Sequence, residues 1–376
     1  MTKLLDTLLL KCRRLCKKMK RRHWLLLSLL VLVGIIKWSH HLSYFYTRAV
    51  YPVIGSMLSA VSGLVPFAVG DIFIALSILW VLFCLRKKTT LLKAAEYLLW
   101  IYVWFYIAWG LNYTQPNIYQ RTGMKPAEVD KDKLREFAYR YADSINLLSE
   151  GRRVKSEEQE SEERRVKSEE QESEEQESEE WKRRVSDALQ NVYEKMGQRE
   201  GINAPFNPHP HVKTMVFTPI SSMAGVTGSM APFFCEFTLN GEIRPHDYPA
   251  IYAHEYAHFL GIAHEGEANF YSYIVCTSST NQAVRFSGYY HIFFHVLHNV
   301  FDILGEKEGE KFLNHIRPEI IRLAKDDRHY WLSKRSKMLD AAQDFVFDLY
   351  LKGNNVSEGR KSYSGVVSLI MAWEER

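Results

Sequence analysis

The pentapeptide His254-Glu255-Tyr256-Ala257-His258 has the spacing H-E-x-x-H. On a helix, side chains four apart share a face, so His254 and His258 can hold one metal ion between them. Glu255 then lies beside that ion, where a carboxylate can take a proton from an attacking water. Two imidazoles with a neighbouring carboxylate suit Zn2+, and such a site needs a third protein ligand. Apolar residues at positions 250, 251, 253, 257, 259 and 260 flank the pair, as a buried helix requires.

Two residues downstream are candidates for the third ligand. His264 completes H-E-x-x-H-x-x-G-x-x-H, the metzincin spacing, in which the turn at Gly261 brings a third histidine round. That arrangement also needs a methionine turn beneath the metal, and Met338 and Met371 lie far downstream in unpersuasive contexts. Glu267, which opens the apolar run to Cys276, would instead present a carboxylate from the next helix, as in gluzincins. Spacing alone favours His264 and leaves Glu267 open.

The elements that must position these residues begin in a membrane. Nine of the first 22 residues are Lys or Arg, and the apolar run Trp24–Ile36 follows directly. Further apolar segments cover Leu64–Leu85 and Ala94–Leu111. These predict three spans, near residues 24–40, 64–85 and 94–111, within a membrane region 23–112 behind a basic tail 1–22. A cleaved signal peptide is the rival for the first run, but KWSHHLSYFY after it offers no small-x-small cleavage site. Asp71 and Glu96 sit near segment ends, where ionisable groups cost little. Basic residues crowd the tail and the 86–93 loop, which places the N-terminus in the cytoplasm. Three crossings then leave residues 113–376 outside the inner membrane. Beside a span, the basic tail reads as a topology signal rather than a nucleic-acid patch.

The chain has 376 residues, of which 47% are hydrophobic and 24% charged, so wholesale disorder is excluded. The region 113–376 has the composition of a globular domain, predicted mostly α, with one low-complexity insert at 150–180. Arg152–Glu163 is repeated letter for letter by Arg164–Glu175, and neither copy has an apolar face to bury. Amphipathic helices are predicted on either side, over Lys131–Leu148 and Trp181–Met196. Five cysteines are too few for a disulfide framework; Cys235 and Cys276 would be able to pair outside the cytoplasm, though nothing in the spacing demands it.

The stretches HEYAHFLGIAHEGEANFYSYIVC, RFSGYY and YLKGNNVSEGRKSYSGVVSLI resemble a bacterial domain-of-unknown-function family, numbered 3810, of three-span membrane proteins regarded as zinc-metallopeptidase-like. The upstream run FTPISSMAGVTGSMAPFFCEFTLNGE is similar to the same pattern, and the likeness covers all but the Glu-rich insert. The resemblance implies a zincin-like domain outside the membrane. The family pattern carries Arg where this chain has His264, which favours Glu267 as third ligand. Arg285, Tyr289 and Tyr363 fall in the family-like motifs and are candidates to stabilise an oxyanion. Asn269, two residues after Glu267, is a candidate to orient a ligand.

The residues thus lead to the expectation of a zinc-dependent hydrolase acting on peptide or protein substrates in the envelope, with Glu255 as general base. The competing expectations are a catalytically inactive binding protein of the same fold and a zinc amidase acting on cell-wall linkages. The lipid bilayer is the other expected partner, nucleic acid is not expected, and the sequence is silent on oligomeric state. Phe234–Asn240 is predicted as an edge strand able to pair with an extended peptide. His291, His295 and His298 read as the polar face of an amphipathic helix, and His209 and His211 carry little signal.

Overall fold

The computed structural model describes residues 20–86, 90–127, 130–163, 171–206, 212–336 and 365–376. It is mostly helical. The first helix, α1, spans Arg21–Trp38, and a sharp bend leads into α2 (His40–Phe45), a π turn and α3 (Tyr51–Ser62). A hairpin follows, formed by α4 (Val69–Leu85) and α5 (Leu91–Ala108). Arg22 pairs with Glu96 and Lys37 donates to Tyr106, so α1 and α5 run side by side in the same direction. Among the described residues, α5 is the one single helix long and apolar enough to cross a membrane. The α1 and α2–α3 pair passes the same test only when taken together, across a bend of 101°. The apolar helix α4 has 17 residues and falls short of it.

After the short helix α6 (Ile118–Thr122) come two long ones, α7 (Lys131–Glu163) and α8 (Gln171–Met196). Asp130 caps α7 by accepting from the backbone N–H groups of Asp132 and Lys133. The helix buries Leu134, Phe137, Ala138, Tyr141, Ala142, Ile145 and Leu148, a repeat of three and four that fixes one face on the core. α8 does the same with Val185, Leu189 and Tyr193. Both amphipathic predictions therefore sit within longer helices, and most of the repeated insert extends these two helices.

A small sheet follows, from β1 (Lys213–Thr214), β2 (Gly228–Ala231) and β3 (Glu236–Leu239), with α9 (Thr218–Met223) between β1 and β2. The order is β1-β3-β2, with β3 parallel to β1 and antiparallel to β2. The predicted edge strand over Phe234–Asn240 is thus corrected: β3 is the central strand, buried along its whole length, and β2 is an edge. Beneath the sheet, Lys213 and Glu236 form a buried ion pair at 2.5 Å. Lys213 Nζ also donates to the Ser62 carbonyl at 2.7 Å, and Glu236 accepts from Gly70 N at 2.7 Å. One ion pair therefore ties the sheet to the end of α3 and the start of α4.

The remaining helices are α10 (Tyr248–Phe259), α11 (Glu265–Thr277), α12 (Gln282–His291), α13 (Phe293–Asn299), α14 (Glu306–His315), α15 (Pro318–Lys334) and α16 (Val366–Glu374). α10 and α11 are buried on nearly every side and form the centre. A single apolar core runs from Tyr46, Tyr51 and Trp109 through Tyr252 and Tyr256 to Ile370. Cys235 and Cys276 are both buried free thiols.

Candidate metal centre

His254 and His258 project from α10 as the spacing requires, with their Nε2 atoms 3.1 Å apart. The third group beside them is Glu265. Its Oε2 lies 3.2 Å from His254 Nε2 and 3.6 Å from His258 Nε2. Ligand atoms held tetrahedrally at about 2.05 Å from a zinc ion lie roughly 3.3 Å apart, so the three separations fit one ion. The outward nitrogens fix the tautomers. His258 Nδ1 donates to the Ile262 carbonyl at 2.6 Å, and His254 Nδ1 donates to Asn269 Oδ1 at 2.8 Å. Carbonyl oxygens only accept, so each neutral ring turns its Nε2 lone pair inward. Two lone pairs and a carboxylate then face one another, an arrangement that demands a cation. Protons answer the same demand: burial alone would lower His258, yet Glu265 raises it to about 9. Burial likewise opposes ionisation of Glu265, but His258 and His254 hold its carboxyl well below the usual range.

The turn between the helices explains why Glu265 arrives there. Gly261 adopts φ +95°, a conformation that favours glycine, and Ile262 N returns to the Ala257 carbonyl at 3.0 Å. The chain doubles back and α11 starts at Glu265, in its first turn. His264 is the cap residue before it, and its ring packs edge-on against Tyr113. Glu267 is paired with the fully buried guanidinium of Arg121 at 2.5 Å and accepts from Ile118 N at 2.9 Å. The structure therefore brings neither His264 nor Glu267 to the histidines. Glu265 was missed because the spacing templates fix on the third histidine or on E-A-N-F; its position in the first turn of the returning helix was the available signal.

Glu255 packs against β2, within reach of the charges of His254, His258 and Glu265. A Cβ on Gly228 would lie 2.4 Å from Glu255 Oε1, so only a glycine there leaves room for the carboxylate. Glu255 Oε2 is buried with no hydrogen-bond partner. Burial raises its pKa, the charges of His254 and His258 pull it back, and Glu265 adds to the rise. Such a carboxylate can both accept and return a proton.

Asn269 occupies the orienting position read from the sequence and also accepts from His291 Nε2 at 3.0 Å. His291 is thus part of the centre, its ring 6.0 Å from that of His254, and burial pushes its pKa down to about 3. The predicted histidine face of the helix divides, since His298 pairs with Asp302 on the surface. Of the oxyanion candidates, Arg285 is exposed near the start of α12. The ring of Tyr289 packs between Tyr141 and Tyr273, away from the histidines in its contacts. Tyr363 lies outside the described residues, as do His209, His211 and Met338.

The C-terminal carbonyls of a helix need donors from elsewhere. At the end of α10 four consecutive carbonyls each receive one from a side chain. Trp109 Nε1 donates to His258, Tyr51 Oη to Phe259, Asn203 Nδ2 to Leu260 and Gln115 Nε2 to Gly261, at 2.6 to 2.9 Å. The Trp109 ring also stands edge-on to His258, 6.3 Å away. At the other end, Asp327 of α15 accepts from His246 at 2.8 Å and from Arg244 and Tyr290, locking the loop before α10. His246, Asp247 and Asp327 are close enough to hold a cation, but Arg244 and Tyr290 already satisfy that carboxylate.

The family model described as a protein of unknown function, DUF3810, matches residues 46–371. The chain belongs to that family. The DUF3810 match begins just before Tyr51 and contains Trp109, Gln115 and Asn203 together with both ligand-bearing helices, so the clamp and the centre fall within one family unit. No curated protein and no solved structure matches the chain.

Proposed function

We propose that this DUF3810 protein is a membrane-anchored zinc hydrolase that cleaves peptide bonds, with His254, His258 and Glu265 as the zinc ligands and Glu255 as general base. The observation that carries the reading is the convergence of three ligand atoms beside a buried carboxylate oxygen without a partner. Zinc bound there would supply Lewis acidity to a carbonyl under attack. Glu255 takes the proton of the attacking water at Oε2 and delivers it to the leaving amine. Asn269 and the Ile262 carbonyl hold the two imidazoles in register. β2 is an edge strand pressed against Glu255, so an extended peptide added to it would run past that carboxylate.

The anchor is α1, α4 and α5 crossing the inner membrane three times. The parallel course of α1 and α5, the α4–α5 hairpin and the basic residues at 20–22, 86–88 and 93 support an internal N-terminus and an extracytoplasmic centre. The test is zinc content and hydrolysis of a peptide library by full-length protein purified without chelator. We expect one zinc per chain and cleavage that Glu255→Gln lowers by 10²-fold or more with zinc retained. Protein without stoichiometric zinc, or a Glu255→Gln variant as active as its parent, refutes the proposal.

A further inference from the structure

The helix α3 has its faces inverted relative to a helix that meets water. Tyr51, Gly55, Ser59 and Ser62 are buried against the protein. Val53, Met57 and Val61, four apart and so on one face, are 59%, 66% and 65% exposed. No residue of Tyr51–Ser62 carries a charge, and the segment leaves α1 at 101°. The exposed stripe does not stop at the end of α3. Leu64 and Phe67 continue it through the connection to α4. The Lys213 bond to the Ser62 carbonyl and the Val216 N–H bond to Asp71, at 2.8 Å, then place the start of α9 beside that connection. There Val216, Phe217, Ile220 and Met223 are exposed as well.

A run of exposed apolar residues this long marks a contact surface, and α4 and α5 expose apolar residues as well. We propose that α3, the α3–α4 connection and α9 form an apolar shelf that lies in the interfacial layer of the bilayer, at right angles to the spans. The occupant is lipid, because the patch is continuous with the lipid-facing sides of the spans and carries no charge on α3. Helices that bury one apolar face about 5–10 Å into the headgroup boundary behave in this way. The shelf rests on the membrane-spanning reading of α5, and its failure is distinguishable from failure of that reading.

The experiment uses full-length protein with Cys12→Ser and Cys16→Ser, leaving only buried native thiols among the described residues. Single cysteines are placed at Met57 and Ile220, at Leu98 on α5, and at Leu332 on α15, which is exposed but lies off the shelf. Each carries an environment-sensitive fluorophore in phosphatidylcholine–phosphatidylglycerol vesicles with brominated or plain acyl chains. The expected result is at least twofold quenching at Met57→Cys and Ile220→Cys by bromine near the headgroup, quenching at Leu98→Cys by bromine deep in the chains, and none at Leu332→Cys. Quenching at Leu98→Cys with neither shelf position above Leu332→Cys overturns the shelf and leaves the span intact. That same result is what a protein partner or a second copy covering the patch would give. No quenching at any of the four overturns the shelf and the span together.

Discussion

Glu265 and Glu267 stand two positions apart, about 200° around a helix, so only one of them can face α10. The turn at Gly261 decides which, and gives the place beside the histidines to Glu265 and the buried pair with Arg121 to Glu267. Glu265→Ala should therefore lose zinc, measured by metal analysis of purified protein. Glu267→Ala should keep it while losing about 3–5 kcal/mol of stability in denaturant unfolding, because Arg121 is left buried and unpaired. The same pair has a pH signature. Burial opposes ionisation of Glu267, but the charges of Arg121 and His264 and the Arg121 and Ile118 hydrogen bonds hold its pKa down. A depressed carboxyl contributes stability above the ordinary glutamate pKa of about 4.3 and loses it as pH falls through the folded value. Acid unfolding curves taken below about pH 4 should be less steep in pH for Glu267→Gln than for the parent. At this scale the sequence disclosed that His254 and His258 meet on one face, since four-residue spacing on a helix leaves no freedom. The third group of the cluster was hidden because it depends on where a turn ends and a helix restarts, and one residue of difference there swings a side chain by about 100°.

Among the elements, α10 has the least freedom. Its start is locked by the Asp327 network and its last carbonyls take donors from Trp109, Tyr51, Asn203 and Gln115. Trp109→Phe keeps an apolar ring but removes the donor to the His258 carbonyl. That carbonyl keeps the Gly261 N–H at 3.0 Å, so the loss is that of one hydrogen bond, about 0.5–1.5 kcal/mol. We expect the variant to unfold at lower temperature by several degrees and to bind zinc more weakly, read by competition with a chromophoric chelator; an unchanged affinity would show that the clamp does not reach the ligand. Periodicity made the helices legible: α7, α8, α10 and α11 fall where apolar spacing put them. It misplaced the edge strand, because alternation in Phe234–Asn240 does not reveal which strand lies outermost in a sheet of three. Nor could it show that Trp109, inside the predicted span 94–111, hydrogen-bonds α10 149 positions away.

For the whole molecule, the apolar core crosses the border that composition draws near residue 112, so the anchor helices and the region carrying the centre share one interior. The Glu-rich repeat is the opposite case. It extends α7 and α8; among the residues whose burial is described, Leu148 and Ser149 are the last buried on α7, and Trp181 is the first of α8 to pack against the core. Replacing residues 152–175 with a short Gly-Ser linker should leave zinc content unchanged and move the melting temperature by less than about 3 °C, measured by calorimetry, since surface changes away from packed features cost within about 0.5 kcal/mol. The repeat reads as a passenger because a sequence without an apolar face has nothing to bury, and the linker replacement tests that reading. The shared core was not, because hydropathy separates segments by solvent and says nothing of which side chains meet.

The four clamped carbonyls also bear on the order of synthesis. Tyr51, Trp109, Gln115 and Asn203 leave the ribosome before Tyr248 does, so every donor that the ligand helix needs is already present when the helix emerges. Two of them, Tyr51 and Trp109, belong to segments whose neighbours are apolar enough to wait for lipid. On the proposed reading the helix carrying the two histidines is therefore made last of these, and the segments made first are the ones that hold its end in place.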